Sequence, residues 1–518
     1  MASHESGWGT EGGAAARFRV SSILPPPVLL VAACAVVGIL AGALAAWLPP
    51  VIVVGAIVAV IGAAVLTQHL QWDIWLLAVV LTILPFGALR LGIGFNPSFL
   101  NLAYLLIIVA WALWLLGRRL SPEPSTTSPG LGHGGAGVLS PREREGVRDA
   151  ARPVALWVAV LVYVGLACVA FVWGSDNAIL GRDIIRRFAE FLLAVSLVWL
   201  LPAILGTHQD VRNATRALIF GGGVAAAVGI VLYVIPRALA TTLLSSLRVF
   251  DYPSGPDVLR FINNDPSLPQ RATGTSIDPN AYGGLLIVVA AMTIPHIFAR
   301  RPMIAPRLAW ALAGMMALAL FMTRSRGSML GLLAAVAFVA FLRYRRVFIW
   351  LIIAVALILV LPWTQDYVAS FFAGVRGQDL STQMRLGEYK DAINLITRHP
   401  WIGVGYAGTP DIDLYIGVSS LYLLLAENAG LIGLAAFGAA MAAFFVLARR
   451  GMRADDGRME PVILGGAAAI FGVLVAGVFD HYFVNITFPA SVTLFWFIIG
   501  LTTAAVGVAR RATGPRSL

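Results

Sequence analysis

Charge is what this 518-residue chain has least of: charged types make up 12% of it, against 59% hydrophobic types. An ordinary globular domain carries about 25% charged residues. This chain cannot cover a water-facing surface with so few, so most of it must face lipid. A cytosolic enzyme, a secreted disulfide scaffold and a disordered regulator are excluded on that ground. Lysine is nearly missing, with Lys390 the only one. Cysteine is almost as scarce. Cys34 and Cys168 both lie inside apolar runs, which argues against a disulfide framework or a thiolate metal site. The sequence has no P-loop, no GxGxxG fingerprint and no serine nucleophile elbow. No set of His, Cys or carboxylates recurs at metal-ligand spacing, so neither metal nor cofactor is expected. No internal repeat is visible, which weakens a transporter built from inverted halves.

What is present is apolar length. Mean hydropathy is +0.84, and a spanning helix needs about 20 mostly apolar residues. Fourteen runs qualify, at 27–47, 51–66, 73–90, 99–117, 154–173, 187–205, 214–235, 281–299, 307–323, 327–343, 347–363, 419–447, 462–481 and 487–508. The second is short, and the first two have the lengths of a re-entrant pair. Barrel strands would be shorter and would alternate in polarity. The expected fold is therefore an all-α polytopic transmembrane helical bundle of about 12–14 spans.

The net charge of +11 is nearly all arginine. The arginines sit in short loops between spans, and no separate basic domain offers itself to nucleic acid. An inside N-terminus places the Arg-rich segments 118–152, 300–307, 343–346, 449–458 and 510–511 all inside, as the positive-inside rule requires. The expectation is a multi-pass protein of the cytoplasmic membrane with both termini cytoplasmic. Residues 1–24 read as a disordered inside tail. Residues 25–235 read as N-terminal transmembrane helices interrupted by a flexible inside linker at 119–152. An outer loop follows at 236–280, further transmembrane helices at 281–363, a second outer loop at 364–418, and C-terminal transmembrane helices with a short inside tail at 419–518. Ala43-Leu44-Ala45 has the form of a signal cleavage site, but cleavage there would leave the mature N-terminus outside. Within the second outer loop, Tyr389, Ala392, Ile393 and Ile396 share a helical face, which predicts a short amphipathic helix over 383–398 at the outer membrane surface.

Arginines that break the rule need another explanation. Arg271, Arg324, Arg326 and Arg385 fall on the outer side. Arg324 and Arg326 share a tight turn that contains no acid, and an anion would relieve their repulsion. The planar guanidinium fork suits a diphosphate, and the helix opening at Gly327 offers free N–H groups. A plainer account has these arginines reaching headgroups or acids such as Asp278, Glu388, Asp411 and Asp413. Asp278-Pro279-Asn280 reads first as a helix cap. Glu427 would lie about 12 Å inside its span, where a carboxylate must face protein or water. It fits a structural acceptor, an Arg partner or a base. Asp480-His481-Tyr482 would end a span on the outer side, where His481 titrates near neutral pH beside a carboxylate. An interfacial aromatic anchor explains the same residues.

Four features, in order, resemble the O-antigen ligase and polymerase superfamily of membrane glycosyltransferases. They are Arg271-x-x-Gly274 with Asp278-Pro279-Asn280; Ser325-Arg326-Gly327 at a span junction; Arg385 heading a helix that ends in His399-Pro400-Trp401-Ile402-Gly403-Val404-Gly405; and Ser420-Leu421-Tyr422-Leu423 leading to Glu427 and Gly430-Leu431-Ile432-Gly433. The resemblance covers roughly 265–445. It implies a metal-independent, inverting transfer of a glycan from a polyprenyl diphosphate carrier to a saccharide or lipid acceptor at the outer face. The implied partners are that donor, that acceptor, membrane lipids and envelope-assembly proteins. Arg271, Arg324, Arg326 and Arg385 would hold the diphosphate, with Asp278, Asn280 and Tyr422 binding substrate or supporting the site. The family carries His-Asn where this chain has Ser419-Ser420, and a serine hydroxyl cannot replace imidazole as a base at neutral pH. His481 with Asp480 is the first substitute, followed by Glu427 and Asp413. A flippase for a lipid-linked saccharide, or an inactive relative acting in assembly, are the competing expectations.

Overall fold

The computed structural model describes residues 70–89, 97–108, 153–174, 181–345, 347–361, 365, 369, 376, 380–407 and 418–512. The expected spans 27–47 and 51–66, the tail, the linker, and Asp411 and Asp413 lie outside the described residues. The chain divides into two compact units, of which the first, residues 1–70 and 106–133, is almost wholly outside them. The second unit, residues 71–105 and 134–518, carries everything below.

In chain order its helices are α1 (Leu70–Ile83), α2 (Phe99–Ile108), α3 (Val154–Gly174), α4 (Arg182–Ile204), α5 (His208–Val234) and α6 (Arg237–Ser246). Then come α7 (Pro279–Phe298), α8 (Pro306–Met322), α9 (Arg326–Leu342), α10 (Val347–Val360), α11 (Leu380–Arg398), α12 (Leu421–Ala454), α13 (Glu460–Ala476) and α14 (Pro489–Ala512). The apolar runs from 73 onward all appear as helices, and the fold is an all-α polytopic bundle. Six of the described helices are long and apolar enough to cross a membrane: α3, α4, α5, α7, α12 and α14. The two-residue strands β1 (Arg260–Phe261) and β2 (Gln270–Arg271) form a hairpin inside the first long loop.

Local chemistry sets the helix ends. Thr207 and Asp210 form a reciprocal capping box at the start of α5. Asp278 caps α7, its Oδ1 accepting from the N–H groups of Asn280 and Ala281, with Pro279 at the first helical position. Ser325 caps α9. Burial then sorts the layers. The apolar windows of α7 and α14 are 83% and 94% buried, against 28% for α3. The first two, with α13, form the centre, and α3 turns most of its surface to lipid.

Lipid supplies no hydrophobic force between helices, so close packing through small residues holds them together. A Cβ built on Gly331 of α9 would lie 2.7 Å from the Gly472 carbonyl of α13, and one on Gly472 would lie 2.6 Å from that of Gly331. The two backbones therefore touch. Side-chain hydrogen bonds add to this: the Tyr282 hydroxyl donates to the Ala225 carbonyl at 2.8 Å, and the Tyr104 and Thr493 hydroxyls are 2.7 Å apart. At the end of the bundle far from Arg326, arginines meet acids, with Arg343 to Glu460 at 2.6 Å and Arg301 to Asp456 at 3.2 Å.

Replacing Gly331 with Leu should cost about 1–3 kcal/mol by overpacking. Gly314→Ala, where a Cβ meets nothing within 4 Å, should be tolerated. Thermal unfolding of the purified protein in detergent reads both.

Candidate functional site

The loops at one end of the bundle converge on the segment 477–488. Helix α13 stops at Ala476, five residues before the expected end at 481: Val478 and Phe479 N–H groups bond the Val475 and Ala476 carbonyls in tighter turns, while the Gly477 carbonyl accepts from the Leu421 N–H, the first free donor of α12, at 2.7 Å. Asp480, His481 and Tyr482 therefore sit in a loop and not at the tip of a span. Asp480 lies against the first turn of α9. A Cβ on Gly327 would be 3.1 Å from Asp480 Oδ2 and 3.2 Å from Phe479 Cβ, so any side chain there would crowd that carboxylate. The anion position expected at the start of α9 is thus held by the chain's own Asp480, beside Arg326. The charges of Arg385, Asp278, Arg271 and Glu388 also act on Asp480. Burial dominates them and pushes its carboxyl from 3.8 up to about 7.

Arg271 is a clamp. Its Nε donates to the Thr323 carbonyl at 2.8 Å, and its guanidinium also bonds Asn280 Oδ1. The adjacent Ala272 N–H donates to the Met322 carbonyl at 2.9 Å. The β hairpin, the end of α8 and the start of α7 are joined at this one residue. Arg324 occupies the left-handed region, at φ 54°, which costs a non-glycine residue about 1 kcal/mol. Its half-buried side chain makes no hydrogen bond or ion pair among the described residues. Arg326 is the first residue of α9 and half-buried.

Arg385 arrives on α11, which starts at Leu380 against the expected 383 and lies on its neighbours through specific bonds. Glu388 Oε2 accepts from the Ser419 N–H at 3.0 Å. The Tyr389 hydroxyl lies 3.1 Å from the Ser419 carbonyl and 3.0 Å from that of Val478. Arg385, three and four residues earlier, shares that face. The buried face includes Ala392 and Leu395, whereas Ile393 is 51% exposed, so the expected apolar face is rotated.

His481 Nδ1 lies 2.9 Å from the Val418 carbonyl. A carbonyl can only accept, so Nδ1 carries the proton and Nε2 of the neutral ring holds a lone pair. Nε2 has no hydrogen bond among the described residues. Burial lowers the His481 pKa below its usual value and favours that neutral ring. Val418 directly precedes Ser419-Ser420. An imidazole from the 477–488 loop therefore docks beside the place where the family's His-Asn pair would be. Asn280 Nδ2 approaches the Tyr482 hydroxyl at 3.5 Å, and burial raises the Tyr482 hydroxyl well above its ordinary range.

Two residues are held elsewhere. The Tyr422 hydroxyl donates to the Leu474 carbonyl at 2.8 Å, which ties α12 to α13. Glu427 is 7% exposed and makes no ion pair with an arginine among the described residues. Its carbonyl instead accepts from Val404 N–H at 2.8 Å, because α12 is broken at Gly430 (φ 69°). Gly405 N–H bonds the Asn428 carbonyl at 3.0 Å, and Leu431 N–H bonds that of Pro400 at 2.7 Å. The motif at 399–405 is thus a plug for an interrupted helix. Cβ atoms at Gly403 and Gly430 would meet backbone at 2.4 and 2.1 Å.

Beside this cluster lies a cavity of about 1060 Å³, bounded by α1, α4, α7 and α14. Arg182, Arg186, Arg187 and Glu190 of α4 line it, together with Asp278. The sequence reading had not singled out the three arginines, although by the same positive-inside argument they too fall on the outer side. A second, wholly apolar groove of about 610 Å³ runs along α9 and α10 from Leu330 through Leu333 and Ala337. Leu330 is one turn beyond Arg326.

Residues 308–438 match the O-antigen ligase family model, which bears out the resemblance over that stretch. The match runs from α8 into α12 and includes Arg324, Arg326, Arg385, Ser419, Ser420, Tyr422 and Glu427. Arg271, Asp278, Asn280, Asp480 and His481 lie outside it. No curated protein matches the chain. The six long apolar helices suit a multi-pass membrane protein, and its segment 308–438 is similar to the O-antigen ligase family.

Two outcomes are expected. Arg324→Gly should keep or raise the unfolding temperature, by removing about 1 kcal/mol of backbone strain, and should lower function. Asp480 holds its proton more tightly folded than unfolded, so its contribution to stability is largest below about pH 4 and is lost as pH rises toward 7. Asp480→Asn should flatten that part of the pH–stability curve measured in detergent.

Proposed function

We propose that this chain moves a glycan from a polyprenyl diphosphate to a saccharide or lipid acceptor, at the outer face of the cytoplasmic membrane and with inversion. The observation that carries this reading is the gathering of Arg326, Arg385 and Arg271 around Asp480, next to an imidazole whose Nε2 is free to accept a proton. The apolar groove starting one turn below Arg326 adds to it. A cationic surface directly above apolar surface matches a lipid diphosphate, which has an anionic head and a hydrocarbon tail.

In the reaction, His481 Nε2 takes the proton of the acceptor hydroxyl as that oxygen attacks the anomeric carbon. The bond between this carbon and the diphosphate oxygen breaks on the opposite side, and the electron pair leaves with the diphosphate. Charge grows on the leaving group in the transition state. Arg324, Arg326 and Arg385 stabilise it there. Arg271 holds the geometry through Thr323 and Asn280 and faces the same charge. Asp480 spaces the cations and limits their repulsion until the donor arrives. Glu427 and Tyr422 support α12.

Removing one such donor typically costs 10²–10³ in rate. Arg326→Ala and Arg385→Ala should lose about that much, with Lys restoring only part because the planar fork is gone. His481→Gln should lose turnover without loss of donor binding. The measurement is the pool of polyprenyl-diphosphate-linked glycan, sorted by membrane face and quantified by mass spectrometry in deletion cells complemented with each variant. Outer-face accumulation with loss of polymer is expected. Inner-face accumulation would make the chain a flippase, and an unchanged pool would remove the substrate class.

A further inference from the structure

The cavity beside α4 has features that the diphosphate cluster does not account for. Arg182, Arg186 and Arg187 occupy the first two turns of α4, where positive side chains oppose the helix dipole. Their cost is only partly offset: Arg186 lies 3.5 Å from Asp183 and 3.7 Å from Glu190. Glu190 is 4% exposed, lies inside an apolar helix and lines the cavity. Its Oε1 has no hydrogen-bond partner among the described residues. A buried carboxylate short of donors is costly unless something supplies them.

As many carboxylates as guanidinium groups line this cavity. An anion site would carry guanidinium groups in clear excess. A lining balanced between donors and acceptors fits a ligand whose groups both donate and accept, which means hydroxyls. Its volume of about 1060 Å³ suits a few sugar rings, at the upper end of small-molecule sites of about 300–1,000 Å³. Phe488 offers a ring at the wall, and the same ring packs against His481 and Tyr482, with centroids 5.8 and 4.4 Å away. Arg187 donates to the Thr487 carbonyl at 3.2 Å, which fastens α4 to the loop that carries His481. Asp278 is a wall of the cavity and acts electrostatically on His481.

We infer that this cavity is the acceptor site and holds the uncharged, hydroxyl-bearing end of a saccharide, with Glu190 accepting from sugar hydroxyls and Arg186 and Arg187 donating to them. The word acceptor rests on the glycosyl-transfer reading; the saccharide in the cavity does not. Donor and acceptor then enter from different sides and meet across Asp278 and Phe488.

The test is photo-crosslinking in living cells with p-benzoylphenylalanine placed at Ala281 and, separately, at Ser491, both in the cavity wall. After irradiation, the digested protein is weighed for adducts in hexose or N-acetylhexosamine increments. Sugar adducts at both positions are expected. They should fall at least ten-fold with Glu190→Gln or Arg187→Ala, each checked for insertion and unfolding temperature, and persist with Arg326→Ala. Phospholipid adducts alone, or none, would overturn the site. So would sugar adducts that vanish with Arg326→Ala, which would make the cavity part of the donor site. Sugar adducts with an unchanged donor pool in deletion cells would leave the cavity a saccharide site and overturn the transferase reading instead.

Discussion

Cations crowded at the edge of a membrane repel one another, and one end of this bundle is arranged around that constraint. Arg271 of the hairpin and Arg385 of α11 both act on Asp480, which lies against Gly327, the residue after Arg326 in α9. The charges of Asp278 and Glu388 act at the same place. Together these acids offset part of the positive charge and help fix where the guanidinium groups stand. The chain tolerates strain to keep this arrangement, since Arg324 sits at a φ of 54° where glycine would be relaxed.

Glycine makes the arrangement possible. Gly327 admits the Asp480 carboxylate, Gly331 and Gly472 let α9 and α13 touch, and Gly477 lets the start of α12 approach the end of α13 through Leu421. Gly403 and Gly430 let the turn after α11 fill the break in α12. A Cβ at most of these positions would meet backbone or a fixed side chain and could not be relieved by rotating a rotamer. Several motifs that resemble the ligase superfamily thus act as packing devices and not as chemistry. They set the distance between α11 and α12, and so place Arg385 over the site.

Hydrophobic runs of helical length made the bundle legible in the sequence, because lipid allows little else to span it. The arginines of the site were legible as exceptions to a topological rule. What the sequence could not show was long-range pairing. Nothing local marks the hairpin of Arg260 and Arg271, or joins His481 to Val418 across sixty-three positions. The end of α13 lies five residues before the end of its apolar run, because Val478 and Phe479 continue that run while their N–H groups tighten into turns on Val475 and Ala476. The arginines of α4 escaped notice for a different reason. They stand among acids, at Asp183 and Glu190, at the mouth of an ordinary apolar helix, and so resemble a solvated helix start.

That difference in company separates two kinds of polar surface on the same end of the bundle. Where arginines outnumber acids, the net field is positive and falls on whatever anion approaches. Where they alternate with carboxylates, as along α4, the net field is small and what remains is directional hydrogen bonding. A transfer reaction needs both. The leaving group must be held by charge, since charge is what it gains. The attacking group is a neutral hydroxyl that must be oriented without being ionised early, and a strongly positive pocket would also draw in the diphosphate. Placing the balanced cavity beyond Asp278 keeps a negative group between the two surfaces. His481, anchored through Nδ1, packs on Phe488, which is itself part of the cavity wall.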